Sequence, residues 1–225
     1  IFYNLCFGAL EDAEEDGVQE EWYLYKDANH TSRDVHTLGA PFKSSIWLVD
    51  PGNTDWLDYI GEKTDAVYEH LDFDGYQIDQ LGDRGSVWDF TARYGEFTDE
   101  MKSRQPEKDL IMNAVSSYGS DDILGSGNVA FAYNELWESE AQFSDFKKII
   151  EDNMSFGGDN MKSVFAAYMN YSRADNIGTF NTPGVLLTDA VIFALGGSHL
   201  EMGEHMLGKE YFPNSNLGMD ETLSN

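Results

Sequence analysis

The sequence predicts an α/β fold in which parallel strands and helices alternate as in a (β/α) barrel. Short runs of β-type composition alternate with longer helical patterns, which is the order expected of βα units. The 225 residues suffice for one sizeable core, near the lower end of what a single α/β barrel needs. Acidic and amide residues end several predicted strands. Because barrel enzymes collect their chemistry at the C-terminal ends of the strands, this pattern favours a barrel over a doubly wound sheet.

Six strands are predicted, each from a largely apolar run that ends in polar residues or glycine. They are Phe2–Leu10, Gly75–Leu81, Asp109–Ser116, Val129–Trp137, Ser163–Tyr171 and Ser198–Met202. Successive βα units lie side by side, so we expect all six strands to be parallel and to follow one another in this order. The first strand is then expected at an open edge of the sheet, or covered by other material.

Four helices are predicted between the strands from apolar residues at helical spacing. They are Asp55–His70, Trp88–Arg104, Phe143–Met154 and Thr182–Leu195, of which Trp88–Arg104 has the weakest pattern. In the last helix Thr182 is the expected N-cap and Pro183 takes the first helical position, where its missing N–H costs nothing. Gly196 and Gly197 then end the helix.

Composition excludes several classes of partner. Forty-one acidic residues against fourteen basic ones give a formal net charge of -27, which repels nucleic acid phosphates and anionic lipid head groups. No binding to nucleic acid is therefore expected, and no apolar run is long enough for a membrane span. Cys6, the only cysteine, lies in an apolar run, which favours a buried small hydrophobe over a nucleophile.

The sharpest local feature is FDGYQIDQLGDRG, in which Asp79 follows an alternating strand pattern. A carboxylate at the end of a buried strand lies at the rim of the sheet, where it can face a bound molecule. We therefore interpret Asp79 as a catalytic residue. The alternative is an N-cap or loop aspartate, and that interpretation suits Asp83 better because glycines and Arg84 surround it.

A second feature is NVAFAYNELWESE, in which an apolar strand leads to Glu135 beside Trp137. Desolvation by aromatic rings raises the pKa of a carboxylic acid, and a general acid at neutral pH needs a raised pKa. Glu135 fits that role. Glu138 and Glu140 are expected to be surface charges at the start of the next segment.

Two carboxylates at different strand ends suit glycoside cleavage, in which one protonates the leaving oxygen and the other meets the anomeric carbon. Sugars present flat apolar faces rimmed by hydroxyl groups, so aromatic, amide, carboxylate and imidazole side chains are the expected lining. The candidate substrate-binding residues are Asn4, Gln77, Asn113, Tyr133, Asn134, Trp137, Tyr168, Asn170, His199 and Glu201. Each of the aromatic residues suits core packing equally well.

The segment HLEMGEH contains His199, Glu201, Glu204 and His205 but lacks the spacing of a helical HExxH zinc motif. No metal site and no cofactor are expected. The sequence also lacks the GxSxG elbow, the P-loop and GxGxxG. It therefore gives no support for a serine hydrolase or a nucleotide-binding enzyme. Structural roles are expected for His30, His36 and His70.

Over nearly its whole length the sequence resembles glycoside hydrolase family 66, the family of endo-dextranases and cycloisomaltooligosaccharide glucanotransferases. Long blocks carry the resemblance in order, among them YNLCFGALEDAEEDGV, FDGYQIDQLGDRG, AYNELWES and FNTPGVLLTDAVIFALGGSHLEMGEHML. The resemblance implies a (β/α)8 barrel and a retaining mechanism on α-1,6-glucan, that is, dextran and isomaltooligosaccharides. It also implies that Asp79 is the nucleophile and Glu135 the acid/base. Retention requires their carboxyl groups to lie about 5–5.5 Å apart.

The resemblance further implies that residues 1–225 are one catalytic domain, incomplete at the N-terminus and beginning at about the third barrel strand. A secreted or cell-surface, bacterial-type protein is expected. Hydrolysis is the leading hypothesis, because cyclising transferases of the family tend to carry an inserted carbohydrate-binding module and none interrupts the blocks. The alternatives are a cyclising glucanotransferase, a fragment that binds glucan without turnover, and a doubly wound enzyme of unrelated chemistry.

Overall fold

A computed structural model describes residues 1–40, 42–83, 93–137, 139–168 and 182–200. Six of its strands are parallel and form one sheet, with spatial order equal to chain order. They are β1 (Phe2–Leu5), β5 (Gly75–Asp79), β6 (Asp109–Val115), β7 (Ala132–Leu136), β8 (Ser163–Ala167) and β9 (Ser198–His199). The prediction of an α/β fold with a parallel sheet is confirmed, and β1 stands at one end of the order as expected.

The predicted helices are present, with small differences at their ends. They are α1 (Thr54–His70), α2 (Tyr94–Arg104), α4 (Phe143–Gly157) and α5 (Thr182–Ala194). A further short helix, α3 (Ser120–Gly125), was not predicted, because six residues are too few to show a helical period. Residues 88–92 of the predicted second helix lie outside the described ranges. A membrane-spanning helix is not found within those ranges.

The first strand is shorter than predicted, because the chain leaves the parallel sheet after Leu5 and enters a second sheet. This sheet is antiparallel, with order β2-β4-β3, and consists of β2 (Gly8–Ala9), β3 (Val35–His36) and β4 (Ile46–Leu48). The predicted strand Phe2–Leu10 is therefore wrong beyond Leu5. Gly8 permits the close pairing of β2 and β4, since a Cβ added there would lie 2.2 Å from Cγ2 of Ile46.

Arg33 holds the antiparallel sheet to the loop that precedes it. Its guanidinium group pairs with Glu14 at 2.8 Å and with Glu20, which lies in one of two short 3₁₀ helices. These helices are Ala13–Asp16 and Glu20–Trp22. The guanidinium carbon also lies 4.1 Å from the ring centroid of Tyr23 and 5.2 Å from that of Trp47, within cation–π range.

The chain divides into two compact units. The first comprises Ile1–Met112 and Tyr118–Ala130, and the second comprises Asn113–Ser117 and the chain from Phe131 onward. In the first unit β1 pairs with β5, which places Leu5 opposite Asp79. Because side chains alternate along a strand, one face of this pair carries Tyr3, Gln77 and Asp79. We call it the Asp79 face.

The opposite face of β1 and β5 packs against helices of the first unit. Phe2 stacks on Tyr76 with ring centroids 4.7 Å apart and meets Tyr68 of α1 edge-on at 5.5 Å. Tyr76 also contacts Phe97 of α2. Helix α1 starts at an N-cap, Asn53, whose side chain accepts hydrogen bonds from the first turn.

In the second unit, β7 and β8 bury one face against α4 and α5. The core here consists of Leu136, Phe146, Ile149, Phe165 and Ile192, all buried. The other face carries Tyr133, Glu135, Val164 and Ala166, since β7 and β8 pair with Tyr133 opposite Val164 and Glu135 opposite Ala166. We call it the Glu135 face.

Candidate active site

Asp79 is the last residue of β5, and both of its carboxylate oxygens accept hydrogen bonds. The hydroxyl of Tyr3 donates to Oδ2 at 2.5 Å, and the backbone N–H of Gln80 donates to Oδ1 at 2.9 Å. Asp79 itself is only partly buried. A partly exposed carboxylate that is oriented at both oxygens can meet a ligand without rearranging.

The segment after Asp79 is fixed by the buried side chain of Gln80. Its Nε2 donates to the carbonyl of Tyr118 at 3.1 Å, and its Oε1 accepts from Gly82 N–H and, at 3.4 Å, from the Tyr94 hydroxyl. Gly82 has φ 72°, a conformation that favours glycine. The backbone donor to Asp79 therefore belongs to a well-anchored turn.

Cys6 lies beneath the same strand end and is fully buried, as predicted for a small hydrophobe. Its backbone N–H donates to the carbonyl of Asp79 at 3.1 Å. Burial, and secondly the nearby charge of Asp79, raise the pKa of the thiol well above its ordinary value. A neutral buried thiol is a poor nucleophile.

Glu135, the penultimate residue of β7, also accepts a hydrogen bond at each carboxylate oxygen. Asn113 Nδ2 donates to Oε2 at 2.6 Å, and Trp137 Nε1 donates to Oε1 at 2.7 Å. Asn113 is buried on β6, where the register places it opposite Tyr133 and so on the Glu135 face. The predicted neighbours Asn113 and Trp137 are thus brought together at Glu135.

An aromatic pair lies beside Glu135. The rings of Trp137 and Tyr168 stack with centroids 4.6 Å apart and an interplanar angle of 26°. Tyr168 is buried, whereas Trp137 is only partly buried. A supported, partly exposed indole suits contact with the flat apolar face of a sugar.

The loop after β6 has a strained backbone. Ser116 and Ser117 have φ 47° and 61°, a region that residues other than glycine rarely adopt. Ser116 N–H donates to the carbonyl of Glu135 at 2.8 Å, and its hydroxyl donates to Glu140 Oε2 at 3.3 Å. The same oxygen accepts from Trp137 N–H at 3.2 Å. Glu140 therefore anchors this loop, contrary to its prediction as plain surface charge; the side chain of Glu138 lies outside the described part.

Asn4 and Asn134 lie on the faces opposite to the candidate carboxylates. Asn4 alternates with Tyr3 on β1, and its Oδ1 accepts from the N–H of Leu5 at 2.9 Å. Asn134 is buried toward α4, where its Oδ1 accepts from Asn153 Nδ2 at 2.8 Å. These placements do not fit the sugar-binding roles predicted for Asn4 and Asn134, because each is one residue out of phase with the carboxylate face.

His199 lies elsewhere in the second unit. It pairs with Phe165, which belongs to the helix-packed face of β8, and its Nδ1 lies 2.6 Å from Oδ1 of Asp189 on α5. The side chain is only 6% exposed. The predicted sugar contact of His199 does not fit this placement, since its partner is a helix residue. Asn170 and Glu201 lie outside the described residues, whereas Gln77 and Tyr133 lie on the Asp79 and Glu135 faces.

The buried amide network around Asn153 supplies a stability prediction. Asn153 of α4 is 1% exposed and donates to Asn134 and, at 2.9 Å, to the hydroxyl of Ser163. Asn153→Ala removes this donor from two buried acceptors, so we expect the free energy of unfolding to fall by about 1–3 kcal/mol. Urea unfolding measures this change. Asn29→Ala, at an exposed asparagine, is the control, and an equal effect of both variants would contradict the interpretation.

The sequence analysis did not identify three residues that hold the candidate carboxylates or the segments beside them, namely Tyr3, Gln80 and Ser116. Tyr3 precedes the chosen Asn4 by one residue, and only the register of β1 against β5 shows which of the two shares a face with Asp79. Gln80 directly follows Asp79, so its position was a usable indication. Nothing in the sequence indicates the backbone conformation of Ser116.

Comparison with known proteins decides the family. The sequence profile of glycosyl hydrolase family 66 matches residues 1–225. The chain belongs to glycosyl hydrolase family 66. The resemblance drawn from the sequence blocks is thereby confirmed.

The relatives of this chain include both a cycloisomaltooligosaccharide glucanotransferase and a dextranase. Cycloisomaltooligosaccharide glucanotransferase of Niallia circulans is 29% identical over 194 residues, covering 79% of this chain and 19% of that protein. Dextranase of Streptococcus salivarius is 25% identical over 222 residues, covering 76% of this chain and 26% of that protein. The chain thus spans about a fifth to a quarter of the length of these relatives.

A solved structure of a relative has a similar fold. Cycloisomaltooligosaccharide glucanotransferase of Paenibacillus sp., complexed with cycloisomaltoheptaose, is 27% identical and superposes with a TM-score of 0.64. The match covers 75% of this chain and 26% of that chain. The α/β architecture of the family 66 chain is therefore shared with an enzyme that binds a cyclic isomaltooligosaccharide.

Proposed function

We propose that this chain belongs to the (β/α)8 catalytic domain of a retaining endo-glycoside hydrolase that cleaves α-1,6 bonds of dextran. The observation that carries the proposal is that Asp79 and Glu135 each stand at the C-terminal end of a parallel strand, with donors at both oxygens. Active sites of (β/α) barrels are built at these strand ends. Membership of family 66 adds the substrate class.

In the proposed reaction an oxygen of Asp79 attacks the anomeric carbon while the glucosidic bond breaks and the leaving oxygen takes a proton from Glu135. Water then attacks the same carbon as Glu135 takes its proton, and the bond to Asp79 breaks. Glu135 serves as acid and then as base. The indole of Trp137 packs on an adjacent sugar ring, and Asn113 orients the Glu135 carboxylate.

A second candidate is a cyclising glucanotransferase, in which a sugar hydroxyl of the same chain replaces water in the second step. The relatives at 29% and 27% identity carry that name, which favours this alternative. The two reactions differ in product mass, since a cyclic isomaltooligosaccharide is lighter than the linear one by one water. A third outcome is glucan binding without turnover.

Incubation of the full chain with dextran tests the proposal. We expect new reducing ends, a rapid fall in viscosity because internal bonds break first, and linear isomaltooligosaccharides in the mass spectrum. Predominantly cyclic products would instead establish the transferase. Retention of the protein on a dextran matrix without any new product would overturn the catalytic proposal and leave a binding function.

Trp137→Phe tests the donor at Glu135 Oε1. Phenylalanine keeps an aromatic ring but loses the indole N–H at 2.7 Å, a hydrogen bond to an ionisable group. Such bonds contribute about 1.5–3 kcal/mol, so we expect kcat on dextran to fall by about 10- to 100-fold. Trp47→Phe, in the antiparallel sheet, is the control and should keep kcat. Equal losses in both variants would indicate a general destabilisation.

A further inference from the structure

Tyr3 combines an exposed ring with a short hydrogen bond. Its relative exposure is 58%, whereas its neighbour Phe2 packs among Tyr68, Phe73 and Tyr76. The Tyr3 hydroxyl nevertheless donates to Asp79 Oδ2 at 2.5 Å. The Tyr3 hydroxyl is therefore the group of this side chain that contacts the carboxylate.

We propose that Tyr3 is a positioning residue whose hydroxyl assists the departure of Asp79 from the glycosyl-enzyme. The inference rests on the function proposed above and assigns to Tyr3 one of its two steps. A donor to a charged oxygen forms a much stronger hydrogen bond than a donor to an ester oxygen. The effect of the hydroxyl therefore follows the charge on Asp79 during the reaction.

In the first step the carboxylate loses charge as its oxygen bonds to the anomeric carbon and the glucosidic bond breaks. The Tyr3 hydroxyl stabilises the charged reactant, so it does not accelerate this step. In the second step water bonds to the anomeric carbon, the bond to Asp79 breaks, and the electron pair returns to the carboxylate. The hydroxyl then stabilises the growing charge, which lowers the barrier.

The orientation of Asp79 does not depend on Tyr3 alone. The backbone N–H of Gln80 still donates to Oδ1, and the Gln80 side chain is held by Tyr118 and Gly82. Removal of the hydroxyl should therefore spare the first step and slow the second. Many purely structural defects would instead slow the first step as well.

The test uses Tyr3→Phe in the full chain with a para-nitrophenyl α-isomaltooligoside, whose good leaving group makes the first step fast. We expect kcat to fall by about 10-fold and KM to fall by at least as much, so that kcat/KM is no lower than in the wild type. Nitrophenolate should appear in a burst close to the enzyme concentration. Mass spectrometry of the quenched variant should show a glycosylated peptide that contains Asp79.

Tyr59→Phe is the matched control, because its hydroxyl donates to the backbone carbonyl of Asp16 at 3.3 Å. It should show wild-type kcat and no enlarged burst. If the wild type is active but Tyr3→Phe shows no burst, or loses kcat/KM at unchanged KM, the role of Tyr3 is overturned. The proposed function would be unaffected by that result. If Asp79→Asn turns over substrate as fast as the wild type, both the proposed function and this inference are overturned.

Discussion

Asp79→Asn is expected to abolish turnover of α-1,6-glucan, with kcat reduced on the order of 10⁴-fold or more. The amide keeps the size of the side chain and can still accept from Tyr3, but it is a poor nucleophile toward the anomeric carbon. Measurement of reducing ends from dextran gives the loss. Thermal unfolding should show little change, because only the charge at a partly exposed position is lost.

The matched control is Asp83→Asn, at an exposed aspartate four residues beyond Asp79. It should retain activity within a few-fold of the wild type. If Asp79→Asn kept a tenth or more of the wild-type kcat, or if both variants lost activity equally, Asp79 would not be the nucleophile.

Glu135→Gln is expected to lower kcat on dextran by about 10²- to 10⁴-fold, because glutamine cannot give a proton to the leaving oxygen or take one from water. A para-nitrophenyl glycoside needs no proton for its first step. Azide should then restore turnover of this substrate, since the anion attacks the glycosyl-enzyme without a base. The expected product is the α-glycosyl azide, which keeps the starting configuration and is identified by NMR.

Azide separates the two carboxylate roles. In the Asp79 variant the anion can only attack the substrate directly, so any azide product must have inverted, β configuration. Glu151→Gln, at an exposed position of α4, is the control for Glu135→Gln and should need no rescue. Azide products of the same configuration from both carboxylate variants would contradict the assignment of roles.

The parts of the fold that depend on local sequence were predictable. The alternating run before Asp79 predicted a strand, and the observed strand β5 ends at Asp79. Pro183 and the two glycines after Leu195 bracket a helix that the structure places at Thr182–Ala194. Helix ends and strand ends are set by neighbouring residues, so the sequence carries this information directly.

The antiparallel sheet, by contrast, was not predictable, because it depends on pairing between distant short segments. The segment after Leu5 joins β4, which lies about forty residues further along, through the pairing of Gly8 with Leu48. Apolar character alone does not distinguish continuation of a strand from entry into a second sheet. The contacts of Arg33 with Glu14 and Trp47 likewise join residues that are not neighbours in sequence.

The two candidate carboxylates lie at or next to the ends of parallel strands, as the sequence pattern indicated, and their catalytic roles stay predictions, whereas several residues expected around them lie elsewhere. Strands of a parallel sheet are covered on both faces, so their polar residues do not alternate in a way that marks the active side. Asn134 and His199 face helices. On β1, Asn4 was predicted to bind substrate, but its neighbour Tyr3 is the residue that contacts Asp79. The separation of about 5–5.5 Å between the two carboxyl groups that retention requires stays a prediction.

The most direct test of the account is to identify the residue that forms a covalent bond with the glucan. A fluorinated isomaltosyl fluoride that forms the glycosyl-enzyme faster than water releases it would accumulate that species, and proteolysis with mass spectrometry would locate it. We expect one label per chain, on the peptide that contains Asp79, and no label in Asp79→Asn. A label on Glu135, or on any peptide without Asp79, would contradict this expectation.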